Sequence, residues 1–184
     1  EPGDLGRPTG VAVNPAGDRV YVIDRATGES TRHRVIVYDG SGNKVQEIGT
    51  RGTTAGRFNV PAQAVVGPDG NLYVLDAGNF RVQVFDAAGG FLRAFGSVGA
   101  GPGQFARPRG VAVDGDGNLY VSDAAFGNVQ VFNANGELLI SIGSLGSTDR
   151  PGHYLLPIGV SVDETGRLYV VDQYFNKVEV IRRL

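Results

Sequence analysis

The chain contains no cysteine, no methionine and no tryptophan, and only two histidines, His33 and His153, among its 184 residues. Without cysteine there is no disulfide, no thiolate-bound metal, no covalently attached haem and no cysteine nucleophile. That absence is compatible with the cytosol and with a periplasmic or surface setting, and the reading leans toward the extracellular or periplasmic side. No apolar run approaches the roughly 18 residues of a membrane-crossing helix. The opening Glu-Pro-Gly-Asp-Leu-Gly-Arg has no signal-peptide pattern and no Met, so it reads as a mature or excised segment. Lysine is scarce, with 2 copies against 15 arginines, and the net charge of −2 argues against a generic polyanion binder. Serine is sparse, and neither a Gly-x-Ser-x-Gly elbow nor a phosphate-binding loop is present. His33 and His153 stand apart in the chain with no His or Cys companion, so no metal site and no cofactor is expected.

Glycine, by contrast, is abundant at 29 copies, and it sits at turns of fixed phase. The phase is marked by Pro8, Pro61, Pro108 and Pro157, spaced 53, 47 and 49 residues apart. A second marker agrees: Asp24, Asp76, Asp123 and Asp172 each close a Val/Leu-Tyr-Val-x-Asp run. A period of 40 to 50 residues with about four short apolar runs per unit is the pattern of propeller blades. The units are taken as approximately 8–60, 61–107, 108–156 and 157–184.

Each unit reads as an antiparallel sheet of strands a, b, c and d, because short β-rich runs alternate with Gly/Asn/Asp clusters. The first gives Gly10–Asn14, Arg19–Asp24, Arg34–Asp39 and Lys44–Gly49, and the second Gln63–Gly67, Asn71–Asp76, Arg81–Asp86 and Phe91–Gly96. The third gives Gly110–Asp114, Asn118–Asp123, Asn128–Asn133 and Glu137–Gly143; the fourth gives only Gly159–Asp163, Arg167–Asp172 and Lys177–Arg182. Fifteen strands and no helix longer than one turn are therefore expected. The b runs are continuously apolar, which predicts strands covered on both faces. The c runs, such as Val82-Gln83-Val84-Phe85, alternate and are expected nearer the rim. Phe58, Phe105 and Tyr154, each three residues before a marker proline, read as aromatic plugs between neighbouring blades.

Pro-x-Gly-Val-Ala-Val-Asp, Asp-Gly-Asn-Leu-Tyr-Val-x-Asp, Ala-Gly-Asn-Phe-Arg-Val-Gln-Val-Phe and Gly-x-Gly-x-Phe together resemble NHL repeats. The resemblance covers the whole chain and implies an all-β propeller, usually six-bladed in that family. A chain with under four such units then reads as a fragment, as part of a ring completed elsewhere, or as an open arc. The family includes a zinc-dependent peptidyl-hydroxyglycine lyase, but that activity needs several histidines near the axis, which this chain lacks. Some NHL domains bind RNA on a basic face, and here the acidic balance makes a nucleic-acid partner unexpected.

Candidate sites follow from these alignments. Asp24 with Arg34, Asp76 with Arg81, and Asp172 with Lys177 read as structural ion pairs closing the b–c turn; Asn128 replaces the cation opposite Asp123. Asp114-Gly-Asp-Gly-Asn118 resembles the start of a calcium loop, but position 12 is Ala125 rather than a bidentate Glu, so a tight hairpin turn is favoured. The b–c connection of the first unit is longer than its counterparts, running from Arg25 to His33. Insertions in repeat proteins map to loops and often to the binding face. Arg25, Glu29, Arg32 and His33, with Arg107 and Arg109 flanking Pro108, are therefore the candidate binding residues. The function expected is a non-enzymatic scaffold for a protein partner. The alternatives are the propeller core of a lyase- or lactonase-like enzyme with catalytic residues outside this segment, and an RNA-binding NHL domain. Self-association through the terminal units is expected as well, because Val178-Glu179-Val180-Ile181 would be an uncovered edge guarded only by Arg182 and Arg183.

Overall fold

The structure is a computed structural model and describes residues 5–25 and 32–182. Short β-branched and aromatic runs punctuated by glycine give an all-β fold of four successive blade-type sheets. The first sheet has the order β1 (Pro8–Val13), β2 (Arg19–Arg25), β3 (His33–Asp39), β4 (Lys44–Ile48). The second is β5 (Pro61–Val66), β6 (Leu72–Asp76), β7 (Arg81–Phe85), β8 (Phe91–Phe95). The third is β9 (Pro108–Val113), β10 (Leu119–Asp123), β11 (Asn128–Phe132), β12 (Leu138–Ile142). The fourth is three-stranded: β15 (Pro157–Val162), β16 (Leu168–Asp172), β17 (Lys177–Ile181). Neighbours in each of these four sheets are antiparallel, and the single helical element among the described residues is the 3-10 turn Ala77–Asn79.

Two strands were not expected. β13 (Ser144–Leu145) and β14 (His153–Tyr154) pair in parallel inside the third Gly-rich connector. The first two connectors carry the same contact as single parallel bridges, Arg51 to Phe58 and Val98 to Phe105. Each connector is thus a closed loop whose returning end delivers the plug aromatic. Phe58, Phe105 and Tyr154 are all fully buried, and Phe58 and Phe105 pack on Phe85 and Phe132 at 5.6 and 5.7 Å between ring centroids. The glycine closing strand d leaves room for the plug: a Cβ on Gly143 would stand 2.5 Å from a ring carbon of Tyr154.

The b strands β6 and β10 are buried at every position, as continuous apolarity requires. The c strands depart from expectation, since β7 and β11 are buried at four of five positions rather than lying toward a rim. Their polar members, Gln83 and Gln130, can be buried because their amides are satisfied by connector backbone, as described below. The d strands β4, β8 and β12 carry the exposure instead.

The chain divides into two compact units, Glu1–Ala94 and Phe95–Leu184. In the first, Ile23, Val35, Ile48, Leu72, Val74 and Phe85 form one core. In the second, Val129, Tyr154, Leu168 and Val170 do the same. Each fully buried side chain of this size contributes about 1.5–3 kcal/mol. Strand a glycines permit the close packing of consecutive blades within a unit: a Cβ on Gly10 would meet Ala62 O at 3.2 Å, and one on Gly110 would meet Ile158 O at 2.8 Å. Apolar side chains remain exposed on β1 (Val11, Val13) and on β17 (Val178, Val180).

Candidate functional site

The recurrent Asp at the end of strand b is where the candidate residues converge. Asp24, Asp76, Asp123 and Asp172 have no solvent exposure at all. A buried carboxylate needs donors, and here the returning end of the connector supplies them. Gly6 N and Arg7 N donate to Asp24 Oδ1 at 2.9 and 2.8 Å. Asn59 N donates to Asp76 Oδ1 at 2.7 Å. Ala106 N donates to Asp123 Oδ2 at 2.8 Å, with Arg107 N at 3.0 Å. Leu155 N donates to Asp172 Oδ2 at 2.7 Å. The same carboxylate also holds the b–c turn, through Ala125 N on Asp123 and Tyr174 N on Asp172, both at 2.9 Å. In the third and fourth blades one side chain therefore clamps two irregular backbone segments.

A second clamp sits on strand c and was missed by sequence reasoning. Gln83 Oε1 accepts from Gly56 N at 2.9 Å while its Nε2 donates to Arg57 O at 2.7 Å. Gln130 repeats this with Gly103 N at 3.0 Å and Gln104 O at 2.8 Å. Glu179 Oε1 takes Gly152 N at 2.7 Å. The available signal was a polar residue at the third position of strand c in three of the four units.

The expected ion pairs divide. Arg34 Nε reaches Asp24 Oδ2 at 3.2 Å and Arg81 Nε reaches Asp76 Oδ2 at 3.0 Å. In both pairs the carboxylate is fully buried. Arg81 also donates to the connector carbonyls of Thr54 and Arg57, each at 2.9 Å. Burial pushes the Asp76 carboxyl above its ordinary value, outweighing the donors Asn79, Asn59 and Arg81. The pair Asp172–Lys177 does not form. Although the two residues are register partners, Lys177 Nζ turns to Asp149 Oδ1 at 2.8 Å and Glu179 Oε2 at 3.2 Å. Burial lowers the Lys177 pKa, but the hydrogen bonds and charges of Asp149 and Glu179 raise it further than burial lowers it. The physical reason is that backbone amides already fill Asp172, whereas Asp149 lies at the outer end of the connector.

The candidate binding residues lie at this same end of their blades. Arg107 and Arg109 are exposed, Arg25 is half-buried and Arg32 is exposed. Glu29 lies outside the described residues. His33 is buried, 4% exposed, and its Nδ1 accepts the Val60 N–H at 3.1 Å, so it is spent on backbone rather than offered to a ligand. The calcium-like turn is likewise occupied: Asp114 accepts from Asn118 N at 2.8 Å, Asp116 N at 3.0 Å and the Tyr120 hydroxyl at 3.0 Å. Among the described residues no cluster of three or more His, Cys, Asp or Glu is placed to hold a metal. None of the described helices is long and apolar enough to cross a membrane.

Comparison with known proteins agrees with this geometry. The NHL repeat profile matches residues 5–38, 58–85 and 105–132, each spanning a marker carboxylate. No curated protein sequence matches the chain. Among solved structures it is similar to a structural-genomics protein of unknown function from Bacteroides thetaiotaomicron VPI-5482, with TM-score 0.70, 18% identity, 95% of this chain and 47% of that one covered. It is also similar to Kuenenia stuttgartiensis hydrazine synthase, with TM-score 0.68 and 18% identity over 94% of this chain and 58% of that one. A streptogramin B lyase gives TM-score 0.65 and 14% identity over 97% of this chain and 55% of that one. The chain spans about half the length of these structures, and at such identities they share its fold alone. With three matched repeats and the blade architecture they predict, the chain belongs to the NHL-repeat family.

Proposed function

We propose that this segment is a non-enzymatic propeller scaffold that binds a protein partner through the loops at the end of each blade where strand b meets strand c. One observation carries the reading: the four marker carboxylates, Gln83, Gln130 and His33 are all committed to backbone. Groups so committed hold irregular backbone in place, which favours a structural over a catalytic role for them. What faces solvent there is exposed arginine, Arg107 and Arg109 in one unit and Arg32 in the other. Arginine on rigidly held loops suits a protein surface carrying carboxylates, through bidentate pairing. Association between copies belongs to the same proposal, since Val178 and Val180 on β17 and Val11 and Val13 on β1 offer exposed apolar area.

The test is affinity capture with the wild-type chain and with Arg107→Glu/Arg109→Glu, each followed by reciprocal binding measurement of any partner found. A partner whose affinity falls at least tenfold with the variant supports the reading. Metal-dependent turnover of an ester or lactone by the unmodified chain overturns it. Sedimentation at micromolar concentration decides the association part, where a concentration-independent monomer is the contrary result.

A further inference from the structure

Three of the four blades share a device at the other end, in the turn joining strands a and b. The strand b tyrosine donates its hydroxyl proton to a turn carboxylate: Tyr73 to Asp69 at 2.8 Å, Tyr120 to Asp114 at 3.0 Å and Tyr169 to Asp163 at 2.9 Å. In the first blade the device is incomplete. Asn14 stands where Asp114 and Asp163 stand, and one residue, Asp18, is inserted before Arg19. The Asn14 Oδ1 accepts from Asp18 N at 3.1 Å and Arg19 N at 2.9 Å, while its Nδ2 donates to Asp18 Oδ1 at 2.8 Å. An amide donor thus replaces the carboxylate oxygen that would have received the phenol proton. Tyr21 is only 4% exposed, yet its hydroxyl has no hydrogen-bond acceptor among the described residues.

Tyr21 lines a cavity of about 460 Å³ in the first unit, together with Asn14, Pro15, Asp18, Arg19, Pro68 and Ala87. Its size falls within the range of small-molecule sites. Arg19 makes no ion pair among the described residues, and its cross-strand neighbour Asp39 is already engaged by Ser41 N at 2.9 Å and Asn43 N at 2.9 Å. Asp18 likewise has its Oδ1 on Asn14. The Asp18 carboxylate is thus held by the Asn14 side-chain amide and Asp39 by turn amides, while Arg19 acts on Asp39 through its charge. The prolines and Ala87 supply an apolar wall beside these polar groups.

We propose that this cavity binds a small carboxylate, whose oxygen takes the place on Tyr21 that Asp114 and Asp163 take on their own tyrosines, with Arg19 supplying the countercharge. The site is independent of the scaffold surface at the opposite end of the blade. A single carboxylate held by one phenol and one arginine binds weakly, with a dissociation constant on the order of millimolar.

The experiment uses the whole chain and N-acetylglycine as the probe, titrated to about 100 mM at constant ionic strength while the backbone amides of Arg19, Tyr21 and Gly70 are followed by NMR. N-acetylglycinamide, which has the same shape without the carboxylate, is the control. Saturable shifts with the acid and none with the amide are expected. Tyr21→Phe keeps the packed ring and weakens binding about tenfold or more, the value of a hydrogen bond to a charged acceptor. Asn14→Asp with Asp18→Asn moves the carboxylate to the position it has in the third and fourth blades without changing net charge, and abolishes binding. Equal shifts with acid and amide, no saturable shift with the acid, or undiminished binding in Tyr21→Phe each overturn the proposal.

Discussion

Replacing Asp123 measures the value of the blade clamp most directly, because its strand c partner is Asn128 and no cation shares the carboxylate. Asp123 accepts Ala106 N at 2.8 Å, Arg107 N at 3.0 Å, Ala125 N at 2.9 Å and Phe126 N at 3.3 Å, and it is fully buried. Asp123→Ala strands these amides. A buried donor left without a partner costs about 1–3 kcal/mol, and charge-assisted bonds lie at the upper end. Ala106, Arg107 and Ala125 have exposed side chains, so water can reach part of the vacated site. The expected loss is therefore about 3 kcal/mol rather than the sum of four full penalties. Asp123→Asn retains one acceptor oxygen but turns an NH₂ toward amides that are themselves donors, so it loses about 2 kcal/mol or more. An exposed ion-pair residue would lose only about 0.2–1 kcal/mol. Urea unfolding followed by far-ultraviolet circular dichroism and tyrosine fluorescence gives both values. A loss below about 1 kcal/mol for Asp123→Ala, or full recovery by Asn, would falsify the clamp.

Three further outcomes follow from the same geometry. Phe80 sits in the left-handed region at φ 55°, where the equivalent positions carry Gly127 and Asn176 at 59° and 51°, so Phe80→Asn should raise stability by about 0.5–1 kcal/mol, read as a melting-temperature gain of about 2 °C. Asn128 has a buried Oδ1 without a partner where the second blade has Arg81; Asn128→Arg should supply the missing pair with Asp123 and raise the urea midpoint, and a lowered midpoint would count against the transplant. The Thr165 hydroxyl, the Arg167 amide and the Tyr169 phenol hold the Asp163 carboxyl at about 2, so its contribution is fully present above the unfolded value near 4 and is lost as pH falls toward 2. Thr165→Ala should move that titration upward, as carbon-detected NMR of the carboxyl would show.

The repeat, the strand order and the plug aromatics were legible in the sequence because each is a matter of period and apolarity. The b strands Leu72–Asp76 and Leu119–Asp123 are buried throughout, as their continuous apolar runs require. What sequence could not give was the destination of polar groups. Asp172 and Lys177 are register partners, which is all that hairpin spacing predicts, yet the amine reaches Asp149, 28 residues earlier in the chain. Gln83 looked like the wet position of an alternating strand because alternation cannot report a connector backbone folded over it. The same blindness applies to Tyr21: its freedom is visible only once the hydroxyls of Tyr73, Tyr120 and Tyr169 are seen to be bonded.

Departures from the repeat occur in every blade, and one of them joins the first blade to the second. Arg7, Arg107 and Leu156, the residues before three of the marker prolines, each donate their amide to the strand b carboxylate. Val60 occupies the same phase before Pro61 but donates to His33 Nδ1, and its φ of 53° is one that a β-branched residue ahead of proline strongly resists. His33 reaches Val60 from the first position of β3, so a side chain of the first blade holds the strained backbone that opens the second. Local rules are broken where something other than folding is being served. In the first blade such a break is the Asn14–Tyr21 turn, which lacks the tyrosine-to-carboxylate bond that the other three blades make.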